Sequence, residues 1–404
     1  MGGKRTILTI THLTFLSFRQ FRNVGIRLSG TALLLGCAVV APRPSRAEAA
    51  TPAMQRIVVA PNLHGFMLAH SHRPFHPWGF NYGRSHLIEH YWISQWPTVV
   101  QDFHNMKTMG ANVVRVHLQY GRFMRGPDRP HRREFKALAK LLALAQRTGL
   151  YLDITGLGCY RRAATPQWYN AMGQRRRWAA QETFWRLVAA DCASSPAVFC
   201  YDLVNEPLSP AGNRPLGAWQ PNSSFGGYDF LQYIALKPGP DGREKLAVRW
   251  IQAMTRAIRS QDKHTLITVG LLPWVKRWGW LSGFVPKIIA PHLNFISVHI
   301  YPNSKDLSQA MIGLRKCAVG KPVVIEETFP LSCSPQQEQT FLLQSRAIAC
   351  GWLGHYAGKT IAQYKALARQ GKLSIAQALY LAWQRMFVRL EPRFINAQLK
   401  PVKH

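Results

Sequence analysis

The sequence predicts a (β/α)8 barrel preceded by a short β-hairpin. Short apolar runs that read as buried parallel strands alternate with amphipathic helical stretches, eight times over about 300 residues. Polar residues suited to chemistry stand at the C-terminal ends of those runs, where the loops of such a barrel gather. A glycine-rich phosphate loop, the usual mark of an open doubly wound sheet, follows none of the early strands.

Each element follows from its own residues. Arg56–Val59 and Gly65–Leu68 are short and apolar and predict the hairpin, within a segment 50–76. The barrel segment, 77–404, opens with Pro77–Tyr82, the first strand and the start of its following loop. A helix Thr98–Met109 leads through Gly110 into the strand Asn112–Leu118, and a helix Glu134–Arg147 leads through Gly149 into Leu150–Thr155. Trp178–Ala193 is helical and precedes Val198–Asn205, where a continuous apolar run indicates a strand buried on both faces. The second half repeats the rhythm. The helix Glu244–Ser260 precedes Thr265–Gly270, and an irregular stretch precedes Phe295–Ile300. The helix Leu307–Cys317 precedes Pro322–Glu326. Ser334 is a good N-cap for the helix Pro335–Ala347, which leads to Cys350–His355. Beyond Lys359 the chain reads as helical and supplies the closing helix. The stretch Leu208–Leu236 is too long for a simple connection, and loops of that length are commonly functional.

Residues 1–49 read as an export signal: Lys4, Arg5, Arg19, Arg22 and Arg27 precede the apolar run Leu28–Ala41, and Ala47-Glu48-Ala49 offers a cleavage site. An uncleaved anchor is the alternative. The expected location is periplasmic, extracellular or envelope-associated. The whole chain has 51 Lys and Arg against 19 Asp and Glu, a formal charge of +32, and +26 remains after the signal. Such a charge draws anionic partners but says nothing of fold. The basic residues are scattered and lack the aromatic-glycine pattern of an RNA-binding sheet, which argues against nucleic acid and leaves association with an anionic envelope surface open. Six of the seven cysteines lie beyond the signal and could form up to three disulfides after export or remain buried thiols; no Cys-x-x-Cys pair suggests a metal site. No cofactor, metal or obligate protein partner is expected.

Glu206, in Asn205-Glu206-Pro207, and Glu327, in Glu326-Glu327-Thr328, each end a predicted core strand in a chain poor in acids. Retaining glycoside hydrolysis needs two carboxyl groups held about 5–5.5 Å apart, one as proton donor and one as nucleophile. Glu206 is the expected acid/base, since a neighbouring carboxylate and partial burial favour a retained proton. Glu327 is the expected nucleophile. Glu326 is its rival, because alternation along a strand lets only one of two neighbours face the axis. Arg115 and Tyr301 could hold the nucleophile ionised, Asn205 could bond a sugar 2-hydroxyl, and His299 could contact substrate or orient a carboxylate. Asn81, Tyr82, His117 and His355 complete the polar strand ends. Trp168, Trp219, Trp274, Trp278, Trp280 and Trp352 are candidate sugar platforms, because an aromatic face suits the C–H surface of a pyranose.

These blocks together resemble glycoside hydrolase family 5, the cellulase and mannanase family of retaining barrels. The resemblance runs from about Gly65 to Thr360. It rests on Trp78-Gly79-Phe80-Asn81-Tyr82, Asn112-Val113-Val114-Arg115-Val116, Leu203-Val204-Asn205-Glu206-Pro207, Val298-His299-Ile300-Tyr301-Pro302 and Val323-Val324-Ile325-Glu326-Glu327. It implies that Glu206 is the acid/base and favours Glu327 over Glu326 as nucleophile. Roles for Arg115, Asn205, His299 and Tyr301 are implied in the same way. Two places depart from the pattern. Asp153-Ile154-Thr155-Gly156 stands where many members carry a histidine, and the sugar-stacking tryptophan of the eighth strand is represented by Trp352 or, in another register, replaced by Ala357. The expected function is retaining cleavage of a β-linked glucan or mannan. A glycan-binding barrel without catalysis, or a basic protein binding an envelope or nucleic acid, are the alternatives.

Overall fold

The structure, a computed structural model, describes residues 53–84, 86–221, 226–276 and 279–395. The predicted signal, residues 1–49, and Trp278 lie outside them. Eight parallel strands close into a barrel in sequential order. They are β1 (Trp78–Tyr82), β2 (Val113–Gln119), β3 (Tyr151–Gly158), β4 (Val198–Asn205), β5 (Leu266–Leu271), β6 (Ile296–His299), β7 (Val323–Glu327) and β8 (Gly351–Tyr356). β8 pairs with β1 through Trp352–Trp78 to Tyr356–Tyr82 and so closes the ring. Helices Trp96–Thr108, Arg132–Thr148, Gln174–Cys192, Arg243–Arg259, Leu307–Arg315 and Pro335–Ser345 cover the outside. Ser334 caps the last of these and Gln337 bonds back to it, a full capping box. Among the described residues no helix is long and apolar enough to cross a membrane.

Alternation along each strand sorts side chains into two layers. Trp78 and Phe80 point outward and meet the C-terminal helix Ile375–Ile395. The Trp78 ring stacks on Phe387 at 4.0 Å. Gly354 has no side chain because Trp383 of that helix lies where a Cβ would be, its nearest ring atom 2.2 Å from that position. The closing helical segment is thus two helices, Ile361–Arg369 and Ile375–Ile395, the second sealing the β8–β1 side.

The N-terminal hairpin gains a third strand, so Ile57–Val59, Phe66–Leu68 and Pro74–Phe75 form a small antiparallel sheet. Phe66 sets its ring edge-on to Phe199 and Phe295, and Phe75 meets Tyr151. These partners sit at the starts of barrel strands, so the sheet plugs the end of the barrel opposite the polar strand termini. All six cysteines among the described residues are free thiols, five of them buried; the disulfide alternative is not realised.

Truncating Phe66 to alanine removes a ring that joins plug to barrel. The expected loss is about 3–5 kcal/mol of stability by denaturant titration. Activity per folded molecule should be unchanged, because the plug is at the far end from the carboxylates.

Candidate active site

Arg115, on β2, is the centre of a polar cluster at the C-terminal end of the barrel. It is wholly buried, yet its guanidinium has partners from three other strands. Nη1 donates to Asn81 Oδ1 (2.9 Å) and Glu327 Oε1 (2.5 Å), and Nη2 donates to Asp202 Oδ2 (2.7 Å) and Asn205 Oδ1 (2.9 Å). Burial opposes its charge, but Glu326, Asp202 and Glu327 outweigh that and raise its pKa further. Asn81 is fixed in turn by donating to the carbonyls of Glu326 and Gly354.

Glu327 accepts from Arg115 on one oxygen and from the Tyr301 hydroxyl on the other, at 2.5 Å. Burial would raise its pKa, but His299 and Arg115 prevail and hold the carboxyl well below the usual range, so it is ionised. Tyr301 also lies 3.0 Å from His355 Nε2. Glu206 sits across from this carboxylate: one oxygen from each, with a nitrogen of His299, all fall within 4.8 Å of one another. Its backbone lies in the left-handed region, φ 45°, which is uncommon away from glycine, and its N–H donates to the Gly270 carbonyl at 3.0 Å. That turn lifts the side chain off the end of β4 toward the mouth.

His299 joins the two glutamate neighbourhoods. Nδ1 lies 3.0 Å from Glu206 Oε1, and Nε2 lies 3.1 Å from Glu326 Oε2. Burial alone would lower its pKa; the charge on Glu327 and the bonds to Glu206 and Glu326 overcome this and raise it to about 10. The ring is therefore an imidazolium donating from both nitrogens. Glu206, His299 and Glu327 also have the spacing of a metal-ligand set. Gly270 makes room for this pair, since a Cβ would stand 2.7 Å from both Glu326 Oε2 and His299 Nε2.

The expectation that only one of Glu326 and Glu327 faces the interior is overturned. Pairing between β6 and β7 slips after Val298–Ile325, so that His299 pairs with Glu327, and this irregularity brings both acids inside. Glu326 points to the lower layer, wholly buried, with Asp153 and Asp202 as neighbours. Neither Asp153 oxygen has a conventional donor, and nor does Glu326 Oε1. A proton resolves this. Burial first, then the charge on Glu326, hold the Asp153 carboxyl well above the usual range, so that it donates to Glu326 as an acid. Glu326 itself is held low, burial being outweighed by Arg115 and His299. Burial and Glu326 raise Asp202 to about 6, against its bonds from Arg115 and Thr155.

The structure brings together Arg115, Asn205, Glu206, His299, Tyr301 and Glu327. It does not bring Tyr82 or Trp352 to them, and these two are corrections. Both point outward by strand alternation. The Tyr82 hydroxyl donates to Asp102 at 2.7 Å in the helix layer, and the fully buried Trp352 donates to Ser345 and packs edge-on against Phe394. His355, inward on β8, reaches the site instead. The third strand runs three residues past the predicted Thr155, so the residues after it are Cys159 and Tyr160. The Tyr160 hydroxyl lies 2.9 Å from His117 Nδ1. Burial and Arg115 keep His117 well below its usual pKa and neutral. Sequence reasoning missed Tyr160, because Gly156 and Gly158 read as a strand end. Of the tryptophans, Trp219 and Trp280 are buried and Trp168 is half-buried; Trp274, beyond β5, is 51% exposed and free to meet a ligand. The long loop after Glu206 folds onto the site, with the Phe230 carbonyl accepting from Asn205 and its ring against Tyr160.

Residues 73–329 match the model of the cellulase family, glycosyl hydrolase family 5. No protein of curated function matches the sequence. Among solved structures, an exo-β-1,4-mannosidase from an Opitutaceae bacterium is similar, with a TM-score of 0.62 and 17% identity over 85% of this chain. The match covers 63% of that mannosidase, so the chain spans under two thirds of its length. A β-mannanase from the blue mussel Mytilus edulis has a TM-score of 0.57 at 14% identity, covering 87% of this chain and 99% of the mannanase. A subfamily GH5_18 protein from Bifidobacterium longum has a TM-score of 0.59 at 14% identity, covering 81% of each chain.

Asparagine at 153 keeps the donated hydrogen bond without a titrating proton. In the wild type an acid that stays protonated in the fold costs stability increasingly as pH rises above its unfolded value of about 3.9. Asp153→Asn should therefore be more stable than wild type near neutrality, with a gain that grows from pH 4 to 8. Equal pH dependence of the two denaturation midpoints would show that Asp153 is ionised.

Proposed function

Because the chain belongs to glycosyl hydrolase family 5, we propose that it cleaves a β-linked glycan with retention of configuration, using Glu327 as nucleophile and Glu206 as acid/base. The observation that carries this reading is the approach of the two carboxylates to within 4.8 Å at the barrel mouth, each with the partners its role requires. That spacing belongs to the retaining class; inverting pairs stand about 6.5–9.5 Å apart, which leaves room for substrate and attacking water together.

In the first step a Glu327 oxygen bonds to the anomeric carbon as the glycosidic C–O bond breaks, and the proton on Glu206 passes to the departing oxygen. The imidazolium of His299, 3.0 Å away, stabilises the carboxylate that Glu206 becomes. In the second step water attacks the same carbon, gives its proton to Glu206 and releases Glu327. Arg115 and Tyr301 keep the nucleophile ionised and aimed between turnovers. Asn205 spends its carbonyl on Arg115 and one amide hydrogen on Phe230, which leaves its second N–H for a sugar hydroxyl. Exposed Trp274 offers a platform further along the chain of sugars. The mannosidase and mannanases of like fold make β-mannosides the first substrates to try, ahead of β-glucans. The N-terminal basic and apolar stretch supports export as the setting.

The test is hydrolysis of aryl β-mannosides and β-glucosides and of matching polysaccharides, followed by NMR. The first-formed sugar should keep the substrate's anomeric configuration; an inverted product sinks the double-displacement reading. Glu327→Gln should fall to background, while Glu206→Gln should lose about 10²–10⁴ in rate, least on substrates with good leaving groups.

A further inference from the structure

Beside the catalytic cluster, between the ends of β2 and β3, lies a second cavity of about 140 Å³ lined by His90, Gln119, Arg122, Gly158, Cys159 and Arg161, with Ala164 and Thr165. It opens on the barrel face that carries the carboxylates. One bond links them: Tyr160, next to Arg161, is bonded to His117, whose ring lies within the electrostatic reach of Glu327.

Two features set this cavity apart from ordinary basic surface. Its guanidinium groups are held in place by neutral partners. Arg161 lies 4.4 Å over the Tyr228 ring and donates to the Tyr228 hydroxyl at 2.9 Å, while Arg122 donates to the Glu89 carbonyl. Neither forms an ion pair among the described residues, and Arg122 Nε is buried without a partner. Nearby acids are turned elsewhere. Glu89 gives both oxygens to Gln119 and is raised to about 7, its burial outweighing those bonds and the nearby charge of Arg122, and Asp229 pairs with Arg162 at 3.4 Å. The rings of His86 and His90, tilted against each other at 4.9 Å, are kept neutral by burial and then by the charges of Arg161 and Arg122, so they add donors rather than further repulsion.

We propose that this cavity is a subsite for a carboxylate on the glycan, so that the preferred substrate is an acidic, uronate-bearing β-glycan rather than a neutral one. Guanidinium groups fixed without a counter-ion recognise a carboxylate through paired, charge-assisted bonds. The position beside the cleft puts that carboxylate on a sugar near the scissile bond. A free inorganic anion has the same chemistry but no reason to lie beside the cleft.

The inference rests on the hydrolase reading, and the test separates the two. The full chain is assayed on a uronate-bearing β-glycan, on the methyl ester of that glycan, and on a neutral aryl β-glycoside. The acid form should exceed its ester in kcat/KM by about tenfold at low salt. Arg122→Gln/Arg161→Gln should bring that ratio close to one, while the same double change at the exposed Arg175 and Arg176, on the outer helix, should keep it. A ratio near one in the wild type, with the aryl glycoside still cleaved, overturns the subsite alone. A ratio lost equally in both double variants assigns the preference to general charge and overturns it too, as does inorganic phosphate binding at Arg122 and Arg161 with no acid–ester difference. No cleavage of any substrate counts against the hydrolase reading itself.

Discussion

The site depends on one buried cation. Arg115 has no exposure to water, and an isolated charge there would be prohibitively unfavourable. It is tolerable only because carboxylates from β4 and β7 and amides from β1 and β4 converge on its fork. The dependence is mutual: those acids stay ionised in the barrel because the guanidinium is there. Four strands distant in sequence are thereby fixed at one end of the barrel, and the two carboxyl groups of the proposed chemistry inherit their spacing from that frame.

A second cation, His299, extends the frame upward to Glu206 and downward to Glu326. The imidazolium exists because Glu327 is charged close by and because Glu206 and Glu326 each accept from one of its nitrogens. Removing any of the three would weaken the reason for its charge. The glycine at 270 belongs to the same arrangement, for any side chain there would enter the space shared by the ring and Glu326.

Much of the fold could be read from the sequence because a barrel strand buried on both faces leaves a plain mark, a continuous apolar run. Val198–Asn205 was predicted with the bounds it has, and most other strands were displaced by a residue. The strand that defied this was β3, where Gly156 and Gly158 read as punctuation. Both are strand residues whose missing side chains admit Trp185 and Tyr160. The core of the site was legible at Arg115, Asn205, Glu206, His299, Tyr301 and Glu327, since each is polar at the end of an apolar run. Tyr82 and Trp352 misled: Tyr82 stands at a strand end too, and only the inward-outward phase separates it from Asn81, while Trp352 lies outward at the start of β8, at the other end of the strand from His355. That phase is fixed by pairing across strands, which no single segment records.

The slip between β6 and β7 carries the same point further. Simple alternation allows one glutamate of the Glu326–Glu327 pair inside, and the irregular register admits both. Two adjacent acids then face two cations, with Asp202 and Asp153 close by, so carboxyl groups outnumber the positive charges available to them. The excess cannot all ionise in a space without water, and the member with no donor of its own, Asp153, is the one that keeps a proton. Glu326 is thus held between an acid below and an imidazolium above, accepting from both. Its charge is part of what His299 answers, and His299 is the group that stands beside Glu206. Glu326, which never touches the proposed chemistry, therefore sets the electrostatics around Glu206 from one bond away.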